Sequence, residues 1–289
     1  MIVNIIQHRY RVIRLLGEGG FGKTYEVESL NDSEINDKPH FALKRLHSEH
    51  RSSIDWIYRF QKEAAALYLL GNKYDFIPTL HEYFEDGKNF YIVQELIIGH
   101  TLAEELGDGK VWNQAKVLYF LAGMARILQA VHKEKIIHRD IKPENIIRRK
   151  DGGLVLIDFG IIKEITTDRL SLANTSIGVG TKSFMPLEQW QGKPHYNSDI
   201  YALGITAILA LTAKYPSDLE EREGEIYWRG NCNVNSRFAD VIDRMVCARS
   251  IDRYSDANTL LEDLNNIYLY PQDYGKREDK FYRYHESEE

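Results

Sequence analysis

The sequence His138-Arg139-Asp140-Ile141-Lys142-Pro143-Glu144-Asn145, followed further on by Asp158-Phe159-Gly160, decides the interpretation of this chain. A short hairpin is predicted between the two motifs, turning at Asp151-Gly152, because these residue types favour tight turns. Asn145 and Asp158 flank that turn symmetrically, so closing the hairpin is expected to place an amide oxygen beside a carboxylate. Such hard oxygen donors suit Mg²⁺ when phosphates and water complete its coordination shell.

Two charged residues of the first motif add further chemistry to this pair of oxygen donors. Asp140 can accept a proton from an attacking hydroxyl, and Lys142 can neutralise charge on a phosphoryl group in transfer. The alternative is a chance cluster of charged loop residues, which the order of these groups along the chain disfavours. Together the two motifs indicate phosphoryl-transfer chemistry.

A glycine-rich segment near the start of the chain, Gly17-Glu18-Gly19-Gly20-Phe21-Gly22, is a second candidate for phosphate binding. The pattern alone is shared by several nucleotide-binding folds. A dinucleotide site needs a helix directly after the glycines, whereas Lys23-Thr24-Tyr25-Glu26-Val27 is β-forming. A glycine turn between two strands can lay its backbone N–H groups on phosphates without side-chain obstruction. A glycine-rich hairpin without a ligand is the alternative at this point.

Lys44 and Glu63 are a candidate buried ion pair. In a strand Lys44 shares a face with Ala42 and Leu46, so its ammonium points toward apolar residues and needs an anion. Glu63 lies at the edge of the apolar face of a predicted helix, where its charge is equally unfavourable alone. The alternative is a solvated surface contact, which is worth less than ~1 kcal/mol.

Periodicity divides the chain into a strand-rich first part and a helical second part. One helix, Ser53–Leu70, is predicted among the strands, and it stops at Gly71. The five predicted strands are Tyr10–Leu16, Lys23–Ser29, Phe41–Leu46, Leu80–Phe84 and Phe90–Glu95. The later helices are predicted at Gln114–Lys133, Ser198–Thr212, Arg237–Ala248 and Asp256–Tyr268. We place the boundary so that the units are 1–96, 97–268 and a polar tail, 269–289.

The composition is typical of a folded globular protein. The chain has 289 residues, of which 43% are hydrophobic and 28% charged, enough for a large packed core. The net charge of −6 favours neither a nucleic acid nor an acidic membrane as partner. Cys232 and Cys247 lack metal-ligand spacing, and no apolar run approaches the ~20 residues that span a membrane. Without a signal-peptide pattern at its start, the chain is expected to be cytoplasmic.

The ordered motifs resemble those of the eukaryotic-type serine/threonine protein kinases, and GGFGKTY and VLIDFG are similar to cyanobacterial members in particular. The resemblance covers about Tyr10 to Leu264. It implies a bilobal α+β protein kinase fold, with an antiparallel five-stranded N-terminal lobe carrying one helix and a mainly helical C-terminal lobe. It also implies transfer of the γ-phosphate of ATP to serine or threonine hydroxyls of protein substrates, with Mg²⁺, or alternatively Mn²⁺, as the metal.

The resemblance also implies roles for individual residues. Asp140 would be the catalytic base, assisted by Lys142 and by the pair of Lys44 and Glu63. Asn145 and Asp158 would bind the metal. The nucleotide would be bound by Leu16, Gly17, Gly19, Gly20, Phe21, Gly22, Thr24, Ala42, Lys44, Glu95, Ile97 and Ile147.

Three further positions match structural features of the same family. Glu188 corresponds to the glutamate that closes the activation segment, with Arg253 as its buried partner. Asp199 corresponds to the aspartate that braces the catalytic loop. The usual Ala-Pro-Glu is Pro186-Leu187-Glu188 here, which keeps the charge and puts only the local turn in doubt.

His132 is predicted to be a packed or capping residue of its helix.

Two other classes of protein are compatible with part of this pattern. A pseudokinase acting as a scaffold would lack catalytic groups, all of which are present here. A small-molecule kinase shares the base and metal ligands but typically lacks the glycine-rich segment and the segment from Gly180-Thr181 to Glu188.

The acceptor class is indicated by Lys142, in the sequence Asp140-Ile141-Lys142-Pro143. Within the family that the chain resembles, this lysine favours serine and threonine over tyrosine acceptors.

Arg139, directly before the predicted base, needs an anion because its guanidinium stays charged near neutral pH. In similar kinases this anion is often a phosphate on the segment between Asp158 and Glu188. Thr175 and Ser176 are the hydroxyls nearest before Gly180-Thr181, so we predict autophosphorylation there. The alternative is that these hydroxyls only solvate a loop.

Overall fold

The computed structural model describes residues 5–19, 22–30, 38–47, 50, 53–159, 163–164, 183–222 and 224–269. Among these residues the strands are β1 Ile5–Ile6, β2 Tyr10–Glu18, β3 Gly22–Ser29, β4 His40–Leu46, β5 Leu80–Asp86, β6 Asn89–Glu95, β7 Gly99–Thr101, β8 Ile136–Ile137, β9 Ile146–Arg149, β10 Leu154–Leu156, β11 Lys163–Glu164, β12 Glu220–Arg222 and β13 Glu225–Tyr227. The α-helices are α1 Ile54–Gly71, α2 Leu102–Leu106, α3 Gln114–Lys133, α4 Leu187–Trp190, α5 Tyr196–Thr212, α6 Ser236–Val246 and α7 Ala257–Leu269.

The first part of the chain folds into one antiparallel sheet in the order β1-β2-β3-β4-β6-β5. The five predicted strands are all present, and β1 adds a sixth, two-residue strand at the edge. Apolar side chains cover both faces of the sheet. One face, with Val27, Leu43 and Val93, forms a small core of its own, and the opposite face joins the main core of the molecule.

Helix α1 packs against the second of these faces. Phe60, Ala64, Leu67 and Leu70 recur at helical spacing and are buried, so this side of the helix faces the core. The helix ends at Gly71, where a Cβ would lie 2.3 Å from the carbonyl oxygen of Pro78. Glycine at this position therefore lets the next segment of chain pass close to the end of the helix.

The second part of the chain is mainly helical, as predicted. Helix α3 begins after Asn113, whose side chain accepts a hydrogen bond from the N–H of Lys116, and it packs against α5 and α7. Helix α5 is buried on nearly all sides and so is the centre of this region. No helix among the described residues is long and apolar enough to cross a membrane.

The hairpin of β9 and β10 differs by one residue from the sequence expectation. Leu156 pairs with Ile146, so the backbone N–H of Ile157, rather than a group of Asp158, reaches the carbonyl of Asn145. The reason is a three-residue turn that ends in Gly152, whose φ of 89° is left-handed. The predicted symmetric placement of Asn145 and Asp158 is therefore wrong, although both residues lie at the open end of the hairpin, away from its turn.

Candidate active site

Lys44 joins two carboxylates from distant parts of the chain. Its Nζ donates to Glu63 Oε1 at 2.7 Å and to Asp158 Oδ1 at 2.6 Å. The lysine and Glu63 side chains are 8% and 1% exposed, whereas the Asp158 side chain is 35% exposed. Strand β4, helix α1 and the segment after β10 are thus tied together through a single ammonium group.

The charges in this cluster affect one another strongly. Burial alone would lower the pKa of Lys44, but the carboxylates of Asp158 and Glu63 raise it above its ordinary value. Burial opposes ionisation of Asp158, yet Lys44 holds the pKa of Asp158 down at about 2. Burial raises the pKa of Glu63 to about 7, because Lys44 only partly offsets the loss of water and Asp158 adds a like charge.

Asp140 is held in place by its neighbours in the catalytic loop. Asn145 Nδ2 donates to both the backbone carbonyl and Oδ2 of Asp140, each at 2.8 Å. Lys142 Nζ lies 2.9 Å from the same Oδ2. A fixed carboxylate beside an ammonium is the arrangement that proton acceptance and charge neutralisation require.

The backbone at Arg139 is strained and strongly supported. Its φ of 68° lies in the left-handed region, which costs on the order of 1–3 kcal/mol for a residue with a side chain. Asp199 Oδ1 accepts the N–H of Arg139 at 2.7 Å, and Gln189 Nε2 donates to its carbonyl at 2.7 Å. Asp199 Oδ2 also accepts the N–H of His138 at 2.9 Å. The predicted bracing role of Asp199 is confirmed by these bonds.

Two residues that contribute to this support were not assigned to it from the sequence. His132 was predicted to be a packed or capping residue, and it is buried, but its Nε2 lies 2.9 Å from Asp199 Oδ2. Gln189 was not singled out at all. Neither carries a local sequence signal, because each role depends on a helix that is distant in the chain.

His138 links the catalytic loop to the segment before Asp158. Its Nε2 lies 3.1 Å from the carbonyl of Ile157, which only accepts, so Nε2 carries the hydrogen. Nδ1 accepts from the N–H of Asp140 at 3.3 Å, which leaves the ring neutral. Burial lowers the pKa of His138 in agreement with this, and the ring packs edge-on against Phe159.

The described glycines of the Gly17–Gly22 segment differ in whether strand packing requires them. A Cβ on Gly22 would lie 2.0 Å from the carbonyl oxygen of Arg45, so strand packing requires glycine there. A Cβ on Gly17 or Gly19 would lie more than 4 Å from every contact that the described residues offer. Packing does not explain these two glycines, but a ligand covered closely by the loop backbone would. Gly20 and Phe21 lie outside the described residues.

Thr24 and Ala42, two of the residues predicted to bind the nucleotide, lie on the face of the sheet that carries Lys44. Thr24 is opposite Lys44 and Ala42 is opposite Gln94 in the strand register, so these side chains share one face. Strand β6 ends at Glu95, whose carboxylate is held by Arg149 at 3.2 Å. No described residue forms a hydrogen bond with the backbone N–H or C=O of Ile97, so both groups are available to a ligand.

Leu16 and Ile147, the remaining predicted nucleotide contacts, come from two different sheets. Leu16 lies at an irregularity in the pairing of β2 with β3, just before Gly17. Ile147 lies on β9, opposite Val155, in the small sheet β10-β9-β7.

Glu188 and Arg253 form the predicted pair. Arg253 Nη1 and Nη2 donate to the two carboxylate oxygens at 2.6 and 3.2 Å. The arginine also donates to the carbonyls of Cys247 and Ala248, and Ser198 Oγ donates to Glu188 Oε1. Burial would raise the pKa of Glu188, but the hydrogen bonds from Arg253 and Ser198 lower it below its ordinary value.

The donor set of this site fits a magnesium ion. Asn145 donates a hydrogen bond to Asp140 through Nδ2, so its Oδ1 points away from that residue. Asp158 accepts the hydrogen bond from Lys44 through Oδ1, so its Oδ2 does not take part in that bond. The amide oxygen Asn145 Oδ1 and the carboxylate oxygen Asp158 Oδ2 are therefore two hard oxygen donors of the kind that Mg²⁺ binds. The depressed pKa of Asp158 keeps its carboxylate charged across the physiological range.

Comparison with known proteins gives the same assignment. The protein kinase domain family matches residues 10–264. Serine/threonine-protein kinase PknA of Nostoc is 42% identical over 280 residues, covering 92% of this chain and 49% of the relative. Serine/threonine-protein kinase C of Synechocystis is 39% identical over 274 residues, covering 91% of this chain and 50% of the relative. The chain thus spans about half the length of these curated relatives.

The fold has a counterpart among solved structures. The kinase domain of Mycobacterium tuberculosis PknI superposes with a TM-score of 0.69 and 21% identity, covering 92% of this chain and 98% of that domain. At this identity the likeness shows the fold alone. The matched family and the bilobal architecture establish that this chain belongs to the protein kinase domain family, whose members generally use ATP and a divalent metal.

Proposed function

We propose that this chain is an active serine/threonine protein kinase that transfers the γ-phosphate of ATP to protein hydroxyls. The observation that carries the proposal is the joint geometry of two clusters. Lys44 bridges Glu63 and Asp158, while Asn145 and Lys142 hold the carboxylate of Asp140. The relatives named serine/threonine-protein kinases support the acceptor class.

The proposed roles follow from where each group lies. Lys44, kept in position by Glu63, would bind the α- and β-phosphates, and the loop from Gly17 to Gly22 would cover them. Ile97 would offer its backbone N–H and C=O to adenine between Leu16, Thr24, Ala42 and Ile147. Asp140 would accept the proton of the attacking hydroxyl, and Lys142 would neutralise the phosphoryl oxygens.

Asn145 and Asp158 would hold the metal through Asn145 Oδ1 and Asp158 Oδ2. A Mg²⁺ ion held there, or Mn²⁺ in its place, would supply neutralisation of the negative charge on the phosphates. The rest of the catalytic effect would come from positioning, because the chain supplies no covalent intermediate in phosphoryl transfer of this kind. Asp140 and Lys142 therefore act on the acceptor side, and Lys44 acts on the nucleotide side.

Two alternatives are tested by the same experiment. The protein is incubated with radiolabelled ATP and Mg²⁺, first with general protein acceptors and then with a panel of small alcohols, including choline and aminoglycosides. Labelled serine or threonine in protein supports the proposal. Label only on a small alcohol would support a small-molecule kinase, and nucleotide binding without any transfer would support a scaffold.

Autophosphorylation extends this proposal. Arg139 is buried, and the loss of water lowers its pKa to about 10, so a nearby phosphate would favour its charged form. The candidate acceptors Thr175 and Ser176 lie outside the described residues. Mass spectrometry after incubation with Mg-ATP should find phosphate on one of them, and none in Asp140→Asn. Full activity in a Thr175→Ala/Ser176→Ala double variant would contradict this extension.

A cytoplasmic location without nucleic-acid or membrane partners is also proposed. The net charge of −6 favours neither a nucleic acid nor an acidic membrane as partner, and the two cysteines, both free thiols, support a reducing compartment. Fractionation of cells expressing the tagged full-length protein would test the location.

A further inference from the structure

Three aromatic rings connect the glycine-rich loop to helix α1. The ring of His47 lies edge-on to that of His50, with centroids 6.1 Å apart. His50 stacks on Trp56 with centroids 3.9 Å apart and ring planes only 15° from parallel. We name His47, His50 and Trp56 the ring stack. None of these residues has a role in the chemistry proposed above.

At one end the ring stack reaches the backbone of the loop. His47 Nε2 lies 3.0 Å from the carbonyl oxygen of Gly19. Because a carbonyl only accepts, Nε2 carries the hydrogen and donates it. The same carbonyl accepts the N–H of Gly22, which pairs with Leu46 directly before His47. His47 thus reaches across strand β3 and holds the far side of the hairpin.

At the other end, Trp56 of the ring stack belongs to helix α1, which also carries Glu63. His50 is only 9% exposed, so the middle ring is packed rather than solvated. Trp56 lies seven residues before Glu63 in α1, about two helical turns, so both residues lie on nearly the same side of the helix. A displacement of the helix would therefore be transmitted to the rings.

We propose that His47 is a positioning residue for nucleotide binding. Through Gly19 it holds the glycine-rich loop at a fixed height over the nucleotide, and through His50 and Trp56 it couples the loop to α1. Helix α1 in turn holds Glu63 against Lys44. This inference rests on the proposed function in one respect, namely that the loop covers the phosphates of ATP.

A neighbouring carboxylate offers a different explanation for the same histidine. Glu18 Oε1 lies 3.8 Å from His47 Nε2, and Glu18 is also 2.9 Å from Lys23. If charge attraction to Glu18 were the important contact, Glu18→Gln would weaken nucleotide binding as much as His47→Ala does. If the hydrogen bond to Gly19 is the important contact, Glu18→Gln should not weaken nucleotide binding.

The first experiment compares His47→Ala, His47→Gln and Glu18→Gln. Binding of ADP is measured by calorimetry, and KM for ATP and kcat are measured with a protein acceptor. Loss of one hydrogen bond should raise Kd for ADP and KM for ATP about three- to tenfold in His47→Ala, with kcat within about twofold of wild type. His47→Gln keeps a side-chain N–H donor and should recover most of the affinity.

The second experiment tests the coupling to α1. Trp56→Leu is compared with Tyr68→Leu, the matched change at a 66% exposed position of the same helix. In the Trp56→Leu background, His47→Ala should cost at least about threefold less in Kd than in the wild type, and the Tyr68→Leu background should leave its cost unchanged. Melting temperatures identify any variant that fails to fold.

Three results would overturn the inference. These are an unchanged Kd in His47→Ala, no recovery in His47→Gln although it folds, and additive effects of His47→Ala and Trp56→Leu. The ADP measurement needs no phosphate transfer. If the wild type binds ADP without transferring phosphate, the proposed kinase activity fails while the role of His47 is still decided.

Discussion

The ion pair between Arg253 and Glu188 and the one between Lys44 and Glu63 each join a cation to a glutamate at nearly the same distance, 2.6 and 2.7 Å. In both, the cation is almost fully buried, with 1% of the Arg253 side chain and 8% of the Lys44 side chain exposed. The two pairs differ in what surrounds them.

Arg253 and Glu188 have partners for nearly every polar atom. The arginine also donates to backbone carbonyls, and the glutamate also accepts from Ser198. Lys44 instead donates hydrogen bonds to two carboxylates, those of Glu63 and Asp158. The second oxygen of Glu63, Oε2, has no hydrogen-bond partner among the described residues. In the first pair one cation faces one carboxylate. Lys44 faces the carboxylates of both Glu63 and Asp158, and this excess of negative charge can be neutralised by a bound cation. Burial of a charge therefore supports stability in one region and ligand binding in the other.

The largest effect is expected from a change that damages the site and not the fold. Asp140→Asn keeps the shape of the side chain and the bond from Asn145 but removes proton acceptance. Turnover should fall about 10²- to 10⁴-fold, while the Kd for ADP and the melting temperature stay near the wild-type values. Single-turnover kinetics with a protein acceptor measure this. A variant that retains more than about a tenth of wild-type turnover would show that Asp140 is not the base.

The opposite result is expected for Arg253→Ala. It leaves the Glu188 carboxylate buried without its cation, which should lower the free energy of unfolding by about 3–5 kcal/mol. Urea denaturation measures the loss, and Arg249→Ala is the matched control, because the Arg249 side chain is 77% exposed and should have little influence. Equal stability of the two variants would mean that the Arg253–Glu188 pair contributes little.

The surplus charge near Lys44 predicts a pH dependence. With a folded-state pKa of about 7 and an ordinary value of 4.5, Glu63 holds a proton in the folded state that the unfolded state has already released. Wild-type stability should therefore fall as pH rises from about 4.5 to 7, by on the order of 3 kcal/mol relative to Glu63→Gln. The pKa of Asp158, lowered to about 2, affects stability only below about pH 4 and does not interfere.

Denaturation of wild type and Glu63→Gln across this pH range, without nucleotide, provides the measurement. The variant retains the bond from Lys44 to Asp158, so its curve serves as the reference. Parallel curves for the two proteins would show that Glu63 is already ionised below pH 5.

Local periodicity was sufficient to predict most of the fold. Helix α3 has the predicted bounds, since its apolar residues recur at helical spacing and Asn113 caps its start. The register of the β9–β10 hairpin was wrong by one residue, because the length of the turn depends on the left-handed conformation of Gly152. A sequence shows that a glycine permits such a turn, but it does not show how many residues the turn contains.

The candidate site also contains residues that the sequence predicted and residues that only the structure reveals. Lys44, Glu63, Asp140 and Asp158 were predicted from motifs, and the structure brings Lys44, Glu63 and Asp158 into one cluster. Gln189 was missed, and His132 was predicted only to be a packed or capping residue. Both act on the catalytic loop from helices that the chain order does not reveal as neighbours, so only the tertiary structure shows their contacts.

Gly22 and Gly19, at the two ends of the same turn, show the same contrast: the first is required by strand packing and the second is proposed to be required by nucleotide binding. Gly22→Ala would place a Cβ 2.0 Å from the carbonyl oxygen of Arg45, so strands β3 and β4 must separate. We expect a loss of about 1–3 kcal/mol in unfolding free energy. The new methyl group of Gly19→Ala would contact none of the described residues within 4 Å, so this variant should keep its stability within about 0.5 kcal/mol of wild type. Its methyl group would occupy the space proposed for the phosphates, so ADP should bind more weakly. Stronger destabilisation by Gly19→Ala than by Gly22→Ala, or unchanged ADP affinity in Gly19→Ala, would reverse the roles given to the two glycines.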